Sequence, residues 1–283
     1  MAHHARGVIL AGGTLGTNEL LIHCKNSGSL PGLSPRVGEL VRTNSEAITA
    51  ATSLDKDADF GHSVAITRSV YPDAQTHFTN NTFGSGGDAL ATTYGPLVNG
   101  DGRLPRPLQF ALALARHPLR WLRHFVLPSN WSRRSILFTV MQSAEGSIAL
   151  RPGRGGRLKS EAVTDAPPHS WLPVANEIAE FAAQRMGGYA QGAVSESLKG
   201  SPTSAHFLGG AVIGSDAEHG VIDRHRRVFG YDNLLVCDGS SMPANLGVNP
   251  SLTITAMAEE AMTHIPDKAA SRQPISVTGG DRR

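Results

Sequence analysis

Gly7-Val8-Ile9-Leu10-Ala11-Gly12-Gly13-Thr14-Leu15-Gly16 is the stretch whose reading decides the fold. Its apolar run does not alternate, which suits a strand buried on both faces of a parallel sheet. Gly12 and Gly13 break the run. Thr14 can act as N-cap for a helix from Leu15 to about Asn26, which Ser27-Gly28 and Pro31-Gly32 bring to an end. The residues before the strand, Met1 to Arg6, carry no apolar segment of the secretory kind. A chain that opens one step ahead of a buried strand is expected to have lost a preceding part.

Outward from this unit the pattern changes. Val41 to Leu90 is rich in Thr, Ser, Val and Phe in short runs, punctuated by Tyr71-Pro72-Asp73 and by Gly84-Ser85-Gly86-Gly87-Asp88. Such runs predict strands of an antiparallel sheet. Pro105 to Arg134 reads as a helical insertion in which Leu108, Leu112, Leu119, Leu122 and Phe125 alternate with Arg116, Arg120, Arg123 and His124, interrupted at Pro118. Strands return at Ser135 to Gln142 and Ser147 to Arg151, and Trp171 to Gln184 has helical spacing through Leu172, Ile178 and Phe181. From His206 to about Ile265 come a glycine-rich turn, a strand at Leu234 to Cys237, and a helix after Pro250. The polar residues 266 to 283 are expected to be a disordered tail, and no repeat is visible.

Composition narrows the function classes. The 283 residues contain 26 Lys+Arg against 24 Asp+Glu, a balance that excludes a phosphate-tracking surface and sets nucleic acid aside. Hydrophobic content of 40% is enough for a sizeable core. Cys24 and Cys237 are the only cysteines, so neither a disulfide framework nor a zinc site is expected, and both read as small core residues. The histidines are scattered; His3, His4, His117 and His124 read as surface residues rather than metal ligands. No apolar run reaches the ~20 residues that cross a bilayer, and the chain is expected to be soluble, in a compartment the sequence leaves open. The basic stretch Arg116 to Arg134, with Trp121, Phe125 and Trp131, could rest on a membrane surface or pack inward as a roof helix.

Two stretches carry chemistry. In the first, a strand ending at Asp238-Gly239 leads to a helix whose N-cap is expected at Asn249 and whose first residue is Pro250. Free N–H groups there, with the positive end of the helix dipole, suit a phosphate or the negative charge of a reduced flavin. In the second, Thr203-Ser204-Ala205-His206-Phe207-Leu208-Gly209-Gly210 sets a histidine before paired glycines able to adopt positive φ and bring backbone close to a planar ligand. An imidazole, with an ordinary pKa near ~6.5, suits removal of a hydroxyl proton. Read alone, a histidine before Gly-Gly such as His206 is more often structural than catalytic, and Asn249 a simple helix cap.

In this order, however, Val8 to Gly16, Ala205-His206-Phe207-Leu208-Gly209-Gly210, Asp238-Gly239 and Gly247-Val248-Asn249-Pro250-Ser251-Leu252-Thr253-Ile254-Thr255 resemble the glucose-methanol-choline (GMC) oxidoreductases, over roughly residues 7 to 265. The His206 and Asn249 pair, Glu218 to Asp223 and Val228 to Tyr231 resemble the family's bacterial sterol-oxidising branch. The resemblance implies a mixed α/β fold, a partial doubly wound FAD-binding domain plus a substrate domain with an antiparallel sheet and helices. Its parts would be residues 1–45 and 201–265 for the flavin and 46–200 for the substrate. It further implies His206 as base toward a 3β-hydroxyl of a sterol or other bulky alcohol, FAD as hydride acceptor and molecular oxygen as final oxidant. Asn249 would position the substrate, with Asp238, Gly239, Asn249, Pro250 and Ser251 against the cofactor.

The sequence departs from that pattern twice. The family's Gly-x-Gly-x-x-Gly pyrophosphate turn is not supplied by Gly7 to Gly16, so the chain alone is expected to bind FAD poorly and to need a separate N-terminal half. The family's sterol enzymes also use a glutamate to shift a double bond. Thr76 to Gly84, the comparable region, has no carboxylate, which puts isomerase activity in doubt. The competing readings are a non-catalytic steroid-binding fragment and an oxidase of a different alcohol.

Overall fold

The computed structural model describes residues 4–163 and 167–266. In chain order the elements are β1 (Val8–Leu10), α1 (Gly13–Asn26), β2 (Glu39–Arg42), β3 (Ala47–Ser53), β4 (Ile66–Val70), β5 (Thr76–Asn81) and β6 (Tyr94–Pro96). There follow α2 (Arg106–Arg116), α3 (Pro118–Val126), α4 (Trp131–Arg134), β7 (Ser135–Gln142), β8 (Ser147–Pro152), β9 (Leu158–Ala162), α5 (Pro173–Arg185), β10 (Gly188–Ala193) and α6 (Val194–Lys199). The last are β11 (Leu208–Gly210), β12 (Arg227–Val228), β13 (Tyr231–Val236) and α7 (Ser251–Thr263).

Three sheets organise these elements: β4-β5-β7-β3-β10-β6, β11-β2-β8-β9, and β1-β13-β12. The first two are antiparallel, as the β-branched runs predict. In the third, β1 pairs in parallel with β13, joining Val8 to Leu234 and Leu10 to Val236 across more than two hundred residues. The fold is therefore mixed α/β with antiparallel sheets and helices. The β8–β9 hairpin lies within the middle of the sequence yet pairs with β2, and Leu150 joins α1 residues Leu21 and Ile22 in one core.

Packing explains the large sheet. Ala47, Ala51, Phe138 and Val140 face Ala175 and Ala183 of α5, and the small residues let the helix sit close to the strands. The opposite face buries Ala50, Tyr94, Trp131 and Leu137. Burying Trp131 and Leu137 contributes roughly 2–3 kcal/mol each by transfer from water.

Several sequence expectations need correction. β1 forms as a strand, but Val8 and Ile9 are 47% and 44% exposed, because β13 is its sole strand neighbour among the described residues and only Leu10 packs against the core. α1 begins at Gly13, with Gly12 rather than Thr14 at the N-cap. The Thr14 hydroxyl instead donates to the Phe207 carbonyl at 2.5 Å, a tertiary bond that outweighs a local one. The helical insertion divides at His117-Pro118 as its proline dictates, but His124 is buried while His4 and His117 are exposed. Phe181, expected on the packed side of α5, is 62% exposed. Cys24 and Cys237 are free thiols and only half-buried. The tail expected to be disordered lies, beyond Pro266, outside the described residues, as does His3.

Candidate functional site

The site grows from Asp238, which follows β13. One of its carboxylate oxygens accepts from the Gly13 N–H at 3.0 Å and the Thr17 hydroxyl at 2.5 Å. The other accepts from Ser240, through its N–H at 2.8 Å and its hydroxyl at 2.5 Å. Charge-assisted bonds of this kind are the strong ones; two of the four tie the start of α1 to Asp238, and the other two hold the turn after β13 itself. Asp238 thus organises the glycine turn rather than presenting its carboxylate outward.

That clasp carries over to His206. The Thr14 bond holds the Phe207 carbonyl, and Asn18, itself buried, donates to the Thr14 and Gly209 carbonyls at 2.7 and 3.0 Å. Gly209 and Gly210 do adopt positive φ, +81° and +90°. What approaches them is the protein: a Cβ would meet the Leu40 carbonyl oxygen at 2.4 Å and the Asn18 amide at 2.3 Å. The paired glycines therefore serve close packing of β11 on β2 and α1, and the expected approach to a planar ligand is not what requires them.

His206 itself is met by a residue the sequence reading missed. Glu46, at the threshold of β3, has a fully buried side chain whose Oε1 contacts Nδ1 of His206, while its Oε2 accepts from the Ala205 N–H at 2.5 Å. An ionised carboxylate can only accept, so this contact selects the tautomer with the proton on Nδ1 and, in the neutral ring, leaves Nε2 as the acceptor. The side chain of His206 retains 16% exposure. Ser45, just before Glu46, stands at φ +47°, a sparsely populated backbone state that aims the carboxylate inward. The available signal was a polar Asn44-Ser45-Glu46 directly ahead of an apolar strand, but buried charge has no signature in one sequence.

The same segment reaches Asn249. Asn44, buried two residues before Glu46, donates to the Val248 carbonyl at 2.7 Å. Asn245 secures that loop to the end of β7 by donating to the Gln142 and Ala144 carbonyls at 2.9 and 2.7 Å. Residues 44–46 thus hold His206 on one side and the neighbour of Asn249 on the other. Among the described residues no hydrogen bond joins His206 directly to Asn249.

Asn249 is not the helix cap. α7 starts at Ser251 with Pro250 at the N-cap, and no side chain caps it. Its first turn therefore presents N–H groups and the positive end of the helix dipole without a protein counter-charge. Gly239 packs beside this turn, where an added Cβ would lie 3.5 Å from Ile254 and 3.0 Å from the Thr14 hydroxyl. Gly239 thus lies against Thr14 of α1 and Ile254 of the first turn of α7.

A second histidine cluster lies apart. His225, Glu260 and His264 bring ligand atoms within 4.8 Å of one another. Arg224 donates to Nε2 of His225 at 3.0 Å and Arg226 stands 3.8 Å from Glu260, so two guanidiniums oppose a cation there.

Residues 155–258 match the family model described as GMC oxidoreductase. The chain is 41% identical over 281 residues to a cholesterol oxidase of Mycobacterium tuberculosis, covering 95% of this chain and 48% of that protein. It is 40% identical over 268 residues to a cholesterol oxidase of Acinetobacter baumannii, covering 93% and 48%. The chain thus spans about half the length of the curated relatives it matches. A crystal structure of pyridoxine 4-oxidase from Mesorbium loti overlays with a TM-score of 0.44 at 16% identity, covering 91% of this chain and 51% of that one, too loosely to carry function across. The chain thus carries a C-terminal domain of the GMC oxidoreductase family and is 40–41% identical to cholesterol oxidases along nearly all of its own length.

Proposed function

We propose that this chain forms the alcohol-oxidising side of an FAD-dependent oxidase whose substrate is a 3β-hydroxysterol, converted to the 3-ketosteroid. The observation that carries this reading is the buried Glu46 carboxylate on Nδ1 of His206. It fixes the ring with Nε2 free to take the hydroxyl proton, and it stabilises the imidazolium that results. Asn249 positions the same oxygen from the loop that Asn44 anchors. The uncapped start of α7, with Gly239, Pro250 and Ser251 around it and Asp238 holding the turn beneath, would border the flavin's anionic pole. When bound, FAD supplies the hydride acceptor and hands the electrons to molecular oxygen, releasing hydrogen peroxide. On this reading residues 1–45 and 201–265 serve the flavin side and 46–200 the substrate side, with the β8–β9 hairpin crossing to the former. The names of the cholesterol oxidase relatives support the sterol.

Because the 283 residues contain no Gly-x-Gly-x-x-Gly turn, the isolated chain is expected to purify with little flavin; a stoichiometric yellow absorbance would overturn that expectation. The oxidase reading is tested by complementing the chain with the N-terminal half of the M. tuberculosis relative and following sterol-dependent peroxide. His206→Gln should retain flavin while kcat falls ~10²–10⁴-fold. A variant as active as its parent defeats the role of His206, and peroxide from long-chain alcohols but not from sterols defeats the substrate.

A further inference from the structure

The last turns of α7 gather polar groups that the redox reading does not use. α7 is 13 residues long, so at 1.5 Å per residue its two ends stand roughly 20 Å apart. Along the side of its C-terminal half lies an open cavity of about 470 Å³. Ala256, Met257, Glu260 and His264 form one wall, and Arg224, His225 and Arg226 the other.

Two buried donors on the second wall lack an acceptor. Arg224 donates from Nε to Nε2 of His225 at 3.0 Å. A guanidinium only donates, so this contact selects the tautomer with the proton on Nδ1, and that Nδ1 is buried without a hydrogen-bond partner. Arg226 is only 7% exposed. One of its terminal nitrogens donates to the Arg224 carbonyl and the other stands 3.8 Å from Glu260, while its Nε is buried and unpartnered. Glu260 supplies neither orphan, since its Oε1 is engaged by Nε2 of His264 at 2.7 Å and its Oε2 is the atom 3.8 Å from Arg226. Buried N–H groups call for an acceptor, and a metal ion offers none. Two guanidiniums against one carboxylate also leave the cavity with a positive balance.

We propose that this cavity binds the phosphate group of a small phosphomonoester. The phosphate oxygens accept from Nδ1 of His225 and Nε of Arg226, and Arg224 adds a second positive charge at the rim. The cavity has room for more than a bare phosphate, and the organic group of the ester rests on Ala256 and Met257. The site lies at the opposite end of α7 from the turn assigned to the flavin, and its occupation needs neither cofactor nor turnover.

Calorimetric titration of the 283-residue chain with phenyl phosphate, inorganic phosphate and zinc chloride tests the site. Phenyl phosphate should bind at one site, at least ~3-fold more tightly than inorganic phosphate, because its ring meets the two apolar residues. Arg226→Met should weaken that binding ~10-fold or more. Should that variant fold poorly, the exposed Arg224→Ser gives a smaller loss of ~3-fold. Glu260→Gln, which removes the cavity's one carboxylate, should tighten binding by ~3-fold. Absence of phenyl phosphate binding overturns the proposal, as does affinity indifferent to both arginine changes. Equal affinity for inorganic and phenyl phosphate overturns it too, leaving an adventitious ion only. Zinc binding that His264→Ala and Glu260→Gln both abolish, with no phosphate binding, would instead mark a cation site.

Discussion

Glu46 and Glu196 are both withdrawn from solvent, just beyond the same end of the neighbouring strands β3 and β10, and the protein treats them differently. Glu46 has each oxygen engaged, one by the His206 ring and one by the Ala205 N–H. Glu196, in α6, has a buried Oε2 without a hydrogen-bond partner, and burial pushes its carboxyl up to about 7 against the pull of nearby Arg106. Arg106 does not pair with that carboxylate: it donates to the Ser170 and Glu196 backbone carbonyls, each at 3.1 Å. A buried acid supplied with donors becomes a fixed anchor for an imidazole, whereas one denied them drifts toward its neutral form.

The largest effect expected from this contrast is at Glu46. Glu46→Ala should lower kcat of the complemented oxidase by ~10²-fold or more and destabilise the chain by about 3 kcal/mol, because a buried pair is broken and the Ala205 N–H loses its acceptor. Glu46→Gln, which can still accept from Ala205, should recover most of the stability while kcat stays low and its pH profile shifts. Recovery of both together would reduce Glu46 to a packing residue.

Glu196 should act on stability alone. Its folded pKa of about 7 lies above the ordinary 4.5, so the folded state holds the proton more tightly than the unfolded chain. Its contribution is therefore complete below about 4.5 and is lost as pH rises to about 7. Glu196→Gln should accordingly be more stable than the parent at pH ~8, by at most about 3 kcal/mol, and converge with it near pH ~4.5 in urea unfolding. Parallel pH profiles for parent and variant would mean that the carboxyl is better solvated than its surroundings suggest.

The smallest effect concerns a histidine that lacks a carboxylate. Nε2 of His124 lies 2.8 Å from each of the Ala91 and Tyr94 carbonyls, and burial holds its pKa below the ordinary value. His124→Phe keeps the ring contacts with Trp121 and Trp131 but leaves a carbonyl unpaired, for an expected loss of about 1–2 kcal/mol in urea with the kinetics of the complemented oxidase unchanged. A drop in kcat comparable to that of Glu46→Ala would erase the distinction between the two histidines.

Much of this arrangement was legible in the residues. Pro118 divides the helical insertion, the Thr- and Val-rich runs form antiparallel strands, and the stretch after Pro250 is a helix, because φ restriction, β-branching and turn chemistry act within a few positions. The roles of Thr14, Asn249, Gly209 and Gly210 were less legible. Each was assigned a local duty, as a cap or as backbone near a ligand, and for Thr14 and the two glycines a distant partner fixed the position instead.

The sequence by itself determined that the insertion divides at Pro118, that Thr- and Val-rich runs form strands and that a helix follows Pro250, that the order of His206, Asp238 and Asn249 resembles the GMC oxidoreductases, and that no turn of the Gly-x-Gly-x-x-Gly kind is present. Tertiary structure alone decided that Glu46 meets His206 across 160 positions, that Asp238 faces inward, and that Leu119 and Leu122 of α3 rather than its Trp121 face outward. The reason is physical: periodicity records which way a side chain points relative to its own backbone, but burial and pairing depend on what another part of the chain brings to that side.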